Sequence, residues 1–140
     1  MPQRFCPTWK ENKKVKRVVP LILAMLLVLT GCGGVAVEST YQQITQEEAK
    51  SMMDTQTVII LDVREQDEFD AGHIKSAVLL PVGSITKDTA AEVIPGLDFT
   101  VLVYCRSGNR SKTASTTLVG LGYSNVYEFG GINTWPYEVE

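Results

Sequence analysis

Positive charge is scarce in this sequence where a folded domain could use it, and that scarcity limits the possible functions first. The chain carries 13 Lys and Arg against 16 Asp and Glu, but six of those cations and only one of those anions precede Cys32. From Cys32 onward seven basic residues face fifteen acidic ones, a net charge of −8. Such a domain is a poor partner for nucleic acid, whose phosphates require clustered Lys and Arg. Histidine occurs once, at His73, and cysteine three times, at Cys6, Cys32 and Cys105. The acidic group Glu65, Asp67, Glu68 and Asp70 shows no metal-ligand spacing and reads as a solvated face. No metal or cofactor is expected. There is no internal repeat and no low-complexity segment.

The one long apolar run, Val18 to Leu29, is interrupted only by Pro20 and follows a basic segment that ends at Arg17. It is short for a membrane span, which needs about 20 residues, and it suits a signal-peptide core of about 7–15. The run closes on Leu29-Thr30-Gly31-Cys32, which resembles the lipobox of bacterial lipoproteins. The expectation is therefore a signal peptide over 1–31 and a mature chain that begins at a lipidated Cys32. The protein would then be exported and held by its lipid on the outside of a bacterial cell membrane, or on the periplasmic face of an envelope membrane. Residues 32–43 read as the lipidated N-terminus and a short polar linker. Eleven extended residues reach less than roughly 40 Å, so the domain would stay near the membrane surface. Cys6 would leave with the signal and Cys32 would be blocked by lipid. Cys105 would remain as the sole free thiol, with no internal disulfide possible.

Beyond the linker, strand and helix signals alternate. Thr45 followed by Glu48 is a capping-box signature, and it predicts a short helix through Met53. Val58–Leu61 is continuously apolar and β-branched, the pattern of a strand buried on both faces. Glu65–Asp70 reads as a helical turn or two, ended by Gly72, and Ala77–Leu80 as a strand stopped by Pro81. A helical stretch follows at Ile85–Val93, broken by Pro95-Gly96. Thr100–Tyr104 is a second buried strand, and a helix is predicted from Ser111 to a C-terminal glycine at Gly122. Val126–Glu128 reads as a last short strand, after which Gly130-Gly131 turns into Ile132–Trp135. The alternation predicts one α/β domain with a largely parallel sheet flanked by helices, and ligands in such folds sit at the carboxyl ends of strands.

Cys105-Arg106-Ser107-Gly108-Asn109-Arg110-Ser111 occupies such a position, between a buried strand and a helix start. Free backbone N–H groups and the positive end of the helix dipole favour an anion there. The residues after Cys105 are poor core formers, so a reactive thiol fits better than a structural one. Gly108 permits the backbone turn that crowds amides inward. Arg106 and Arg110 are expected to bind an anionic donor and to bias Cys105 toward its charged form. Ser107 and Asn109 are expected to contribute backbone amides rather than side-chain chemistry.

This loop, together with Leu61-Asp62-Val63-Arg64-Glu65, Phe69 to Ile74 with Gly72-His73-Ile74, Ala77, Leu80-Pro81, Gly130-Gly131 and Trp135, resembles the single-domain rhodanese (sulfurtransferase) family. Each motif is weak alone, and the ordered set is specific. It runs from about Ile44 to the C-terminus, so 44–140 is read as a rhodanese-like three-layer domain. The resemblance implies a sulfurtransferase that carries sulfur as a persulfide on Cys105. Its donor would be thiosulfate or a similar small anion, and its acceptor cyanide or a thiol. Substrate would be bound by Arg106, Ser107, Gly108, Asn109, Arg110 and Ser111. The resemblance also implies a structural role for His73 and a loop-holding role for Asp62 and Arg64. Trp135 reads as core or pocket wall.

Two other classes fit the loop less well. Cysteine phosphatases and arsenate reductases use related loops, but with an arginine after five intervening residues. Here that position is Ser111, and Arg110 follows after four. A non-catalytic persulfide carrier, or a redox or binding module at the membrane, is the other alternative.

Overall fold

The computed structural model describes residues 40–140, so the expected signal peptide, Cys32 and most of the expected linker lie outside the described residues. Five strands form one sheet: β1 (Gln42–Gln43), β2 (Ile59–Asp62), β3 (Val78–Leu79), β4 (Thr100–Cys105) and β5 (Asn125–Gly131). Their spatial order is β1-β5-β4-β2-β3, and every pairing is parallel. The helices are α1 (Gln46–Thr55), α2 (Gln66–Asp70), α3 (Lys87–Val93) and α4 (Asn109–Gly120).

β4 is central because it can be buried on both faces. Val101, Val103 and Cys105 point into one apolar cluster, with Ala90 and Ile94 from the α3 segment and Ala114 and Leu118 from α4. Leu102 and Tyr104 point the other way, into a cluster with Ala49 of α1, Ile74 and Phe129. Alternate residues of one continuous apolar strand thus fill two cores, which is why both faces of the sheet must be covered. The result is the expected layered arrangement, with a parallel sheet between helices.

Local signals set most of the boundaries. Thr45 Oγ1 accepts from Glu48 N–H at 3.1 Å and the Glu48 carboxylate accepts from Thr45 N–H at 2.8 Å, so α1 starts on the predicted capping box. At the end of α4, Tyr123 N–H donates to Leu118 carbonyl and Gly122 N–H to Val119 carbonyl. With Gly122 at φ +101, this is a Schellman closure.

Three expectations need correction. Gln42-Gln43 is not linker but an edge strand, because its backbone pairs with Tyr127 and Glu128 of β5. α4 begins at Asn109, two residues before Ser111, because Gly108 rather than a serine caps it. β5 continues through Gly130-Gly131 instead of turning there. It does so by bulging: Val103 pairs with Glu128, but Cys105 pairs with Gly131, leaving β5 one residue longer over that interval.

Candidate active site

The bulge brings Gly131 against the start of the Cys105 loop, and the two backbones nearly touch. A β-carbon at Gly131 would lie 2.2 Å from the Arg106 carbonyl oxygen and 2.5 Å from Ser107 N. Asn133 N–H donates to the same Arg106 carbonyl at 3.2 Å. The loop is therefore pinned from below before any of its own side chains act.

From that anchor the chain curls around the sulfur. Gly108 sits at φ +100, a conformation that side chains disfavour, and its N–H points back to Cys105 Sγ at 3.0 Å. Burial works against a charged sulfur at this site, where Cys105 is 1 % exposed. The Ser111 hydroxyl and the backbone N–H groups of Ser111, Gly108 and Ser107 outweigh it, so the thiol lies below its ordinary value. The N-terminus of the twelve-residue α4 faces the same way. Backbone amides and one hydroxyl, more than the arginines, favour the thiolate.

The Ser111 side chain points inward, away from solvent. It is fully buried, and its Oγ lies 3.5 Å from Cys105 Sγ and 2.6 Å from Glu128 Oε1. Glu128, 3 % exposed on β5, also accepts from Gly130 N–H at 2.9 Å and from Gln43 Nε2 at 3.2 Å. Sequence reasoning missed Glu128. The available signal was a carboxylate between Tyr127 and Phe129 in a segment read as a strand.

The arginines also differ from expectation. Arg110 donates from Nη1 and Nη2 to both oxygens of Glu68, at 2.6 and 2.8 Å. Glu68 is therefore not part of a solvated acidic face. The Arg110 hydrogen bond holds its carboxyl down at about 2. Arg110 is in turn held above its ordinary value, first by that bond and to a smaller degree by the charge of Cys105. Glu65, Asp67 and Asp70 are exposed as predicted. Arg106, Ser107 and Asn109 are exposed at the mouth of the loop, and Arg106 makes no side-chain hydrogen bond among the described residues.

A separate buried network braces the neighbouring loops. Arg64 donates to Asp62 through Nε at 3.0 Å and Nη2 at 2.7 Å, and its Nη2 reaches the Gly72 carbonyl at 2.7 Å. Tyr104 O–H donates to Asp62 Oδ2 at 2.6 Å and accepts from Ile74 N–H at 3.1 Å. Burial, then the bond to Asp62, pushes the Tyr104 phenol well above its ordinary value. His73 donates from Nδ1 to the Phe69 carbonyl at 3.0 Å and stacks on the Phe69 ring. Trp135 packs between Phe129 and Tyr137 and also lines a groove of about 960 Å³ with Lys50, Met53 and Ile74. None of the loop residues lines that groove.

A thiol held low by inward amides, at the end of the central strand, can act as a nucleophile toward a small electrophile and hold the resulting anion. Known proteins resemble this chain in sequence and fold. A mitochondrial protein of Schizosaccharomyces pombe is 40% identical over 85 residues, covering 54% of this chain and 60% of its own length. Thiosulfate sulfurtransferase GlpE of Pseudomonas putida is 36% identical over 100 residues, covering 69% of this chain and 86% of the relative. A solved Escherichia coli structure described as rhodanese with anions superposes with a TM-score of 0.56 at 27% identity, over 60% of this chain and 98% of that one. The family model for the rhodanese-like domain matches residues 45–137, which contain the central strand, the Cys105 loop and the bulged strand beneath it. On these grounds the chain belongs to the rhodanese-like domain family.

Proposed function

We propose that this protein is a rhodanese-type sulfurtransferase that passes a sulfane sulfur from thiosulfate, or a donor of that anionic class, to a thiophilic acceptor through a persulfide on Cys105. The observation that carries this reading is the convergence of the Gly108 N–H, at 3.0 Å, and the Ser107 and Ser111 N–H groups on the Cys105 thiol. The Cys105 thiolate attacks the outer sulfur of thiosulfate. A new S–S bond forms as the donor's S–S bond breaks, and sulfite leaves with the electron pair. Negative charge comes to rest on the terminal persulfide sulfur, where inward amides stabilise it. Cyanide or a thiol then attacks that outer sulfur and departs as thiocyanate or a persulfide, and the Cys105 thiolate returns. Arg106, with Ser107, Gly108 and Asn109 around it, receives the donor's anionic end. Relatives named thiosulfate sulfurtransferase support the choice of donor. The four residues between Cys105 and Arg110 favour a single sulfur over a phosphate group.

We infer separately that the protein is exported, with residues 1–31 removed and Cys32 lipidated, and held on the outside of a bacterial cell membrane or on the periplasmic face of an envelope membrane. The basic, apolar and Leu-Thr-Gly-Cys succession supports it. Stable retention calls for more than one acyl chain, since a single chain anchors only marginally.

The deciding experiment is mass spectrometry of the reduced protein after thiosulfate. One added sulfur on the Cys105 peptide, removed by cyanide and absent in Cys105→Ser, is the expected result. An aryl phosphate should be hydrolysed only at background rate. No sulfur uptake, or phosphatase activity that disappears in Cys105→Ser, would overturn the assignment.

A further inference from the structure

Two carboxylates are buried in the described part of the protein, and they are treated differently. Asp62 has a guanidinium against it, Arg64 at 2.7 Å. Glu128 forms no ion pair among the described residues, although Lys112 borders the same groove of about 440 Å³. Its contacts are the Ser111 hydroxyl, the Gly130 N–H and the Gln43 amide. A buried carboxylate without a cation is costly, so its neighbours must supply hydrogen bonds. The shortest of these comes from the residue that also touches the nucleophile.

Ser111 has one hydroxyl proton and four acceptors within reach. Glu128 Oε1 is at 2.6 Å, the Gly108 carbonyl at 3.0 Å, the Gly130 carbonyl at 3.4 Å and Cys105 Sγ at 3.5 Å. A charged acceptor at the shortest distance takes the proton most of the time. With that proton on Glu128, Ser111 accepts the Cys105 S–H at 3.5 Å, and it can support a thiolate only by withdrawing the proton from the carboxylate. We propose that Glu128 is a positioning residue for Cys105: it competes with the sulfur for the single Ser111 proton and so restrains the thiolate of the unloaded site. The consequence for the cycle follows directly. In the persulfide the charge moves to the outer sulfur, among the loop amides, and the inner sulfur no longer needs the Ser111 proton. Glu128 can hold that proton without opposition, so it favours the loaded state over the free thiolate.

The charged and titratable groups around Glu128 are Cys105 on β4 and Lys112 on α4, with the neutral Ser111 and Gln43 closing the site. The test substitution is Glu128→Gln. Oε1 already accepts from Gly130 N–H, so the amide oxygen of the replacement must occupy that place. Ser111 therefore keeps an acceptor, but a neutral and weaker one.

The inference rests on Cys105 being the reactive group, and the assay is chosen to be independent of sulfur transfer. The full chain is pulsed with iodoacetamide across pH, and alkylation of the Cys105 peptide is quantified by mass spectrometry, with folding checked by circular dichroism. Glu128→Gln should shift the profile to lower pH by roughly 0.7 of a unit, an approximately fivefold faster reaction well below the midpoint. Ser111→Ala, or Ser111→Gly if the alanine variant does not fold, should shift the profile upward. In that background Glu128→Gln should have less than about a third of its original effect. An unchanged or raised midpoint in the single variant would overturn the proposal. So would an equal shift without Ser111, which would mean that the carboxylate acts through space. If Cys105 alkylates as described but takes up no sulfur, the sulfurtransferase reading fails and this one stands.

Discussion

Gly131→Ala asks whether the pinning of the Cys105 loop is real. Gly131 has φ −138 and ψ 153, which any residue can adopt, so backbone strain is not the issue. The added methyl would meet the Arg106 carbonyl oxygen at 2.2 Å, its carbon at 2.4 Å and Ser107 N at 2.5 Å, where ordinary contact starts at 3.4 Å. All three are backbone atoms, so no side chain can swing away. The Arg106–Ser107 peptide must move by about 1 Å. Overpacking of this kind costs about 1–3 kcal/mol, and loss of the Asn133-to-Arg106 hydrogen bond adds about 0.5–1.5. The total, roughly 2–4 kcal/mol, corresponds to a fall in Tm of about 10–20 °C for a domain of this size. The displaced peptide includes the Ser107 N–H that favours the thiolate, and a misplacement of about 1 Å can cost on the order of 100-fold in rate. The assays are thermal unfolding by circular dichroism and thiosulfate:cyanide turnover. Gly120→Ala is the matched control, since nothing lies within 4 Å of its β-carbon and it sits in an exposed helical turn. It should stabilise by about 0.5–1 kcal/mol. A Gly131→Ala protein with wild-type Tm and turnover would refute the close-approach argument.

The two loop arginines should separate in their effects. Arg106→Ala should lower donor efficiency by about 10- to 100-fold at unchanged Tm, because the side chain is exposed and free to bind an anion. Arg110→Ala should lower Tm by a few degrees, since its fork ties the loop to α2, and equal kinetic losses in both would contradict the division. Glu68 has its carboxyl lowered to about 2, so the stability from its pairing is present above the unfolded value near 4.5 and is lost as pH falls toward 2. The Tm difference between wild type and Glu68→Gln should therefore be largest above pH 5 and vanish near pH 2; a constant difference would mean that the pair carries no charge-dependent stability. A fatty-acid probe should label the wild type and not Cys32→Ala, and equal labelling of both would end the lipoprotein reading.

What the sequence determined by itself lies in local patterns. The capping box at Thr45 and Glu48, the glycine stop at Gly122 and the apolar strand that ends at Cys105 each depend on residues a few positions apart. Steric and hydrogen-bonding preferences over such distances act before the chain is folded, so elements, order and the placing of a thiol at a strand's end could be read directly. The edge strand at Gln42–Gln43 could not, because two polar residues become a strand only when β5 offers its backbone. The same holds for the partners of the loop. Arg110 finds Glu68 across 42 positions and Ser111 finds Glu128 across 17. The first depends on β2 lying beside β4 and the second on β5 lying beside β4, pairings between distant segments that no local pattern encodes. The sequence placed two arginines beside a cysteine and suggested that their charge would ionise it. The folded chain engages one of them with Glu68 and favours the thiolate chiefly with backbone N–H groups and the Ser111 hydroxyl. Their direction exists only after β4, α4 and β5 have met.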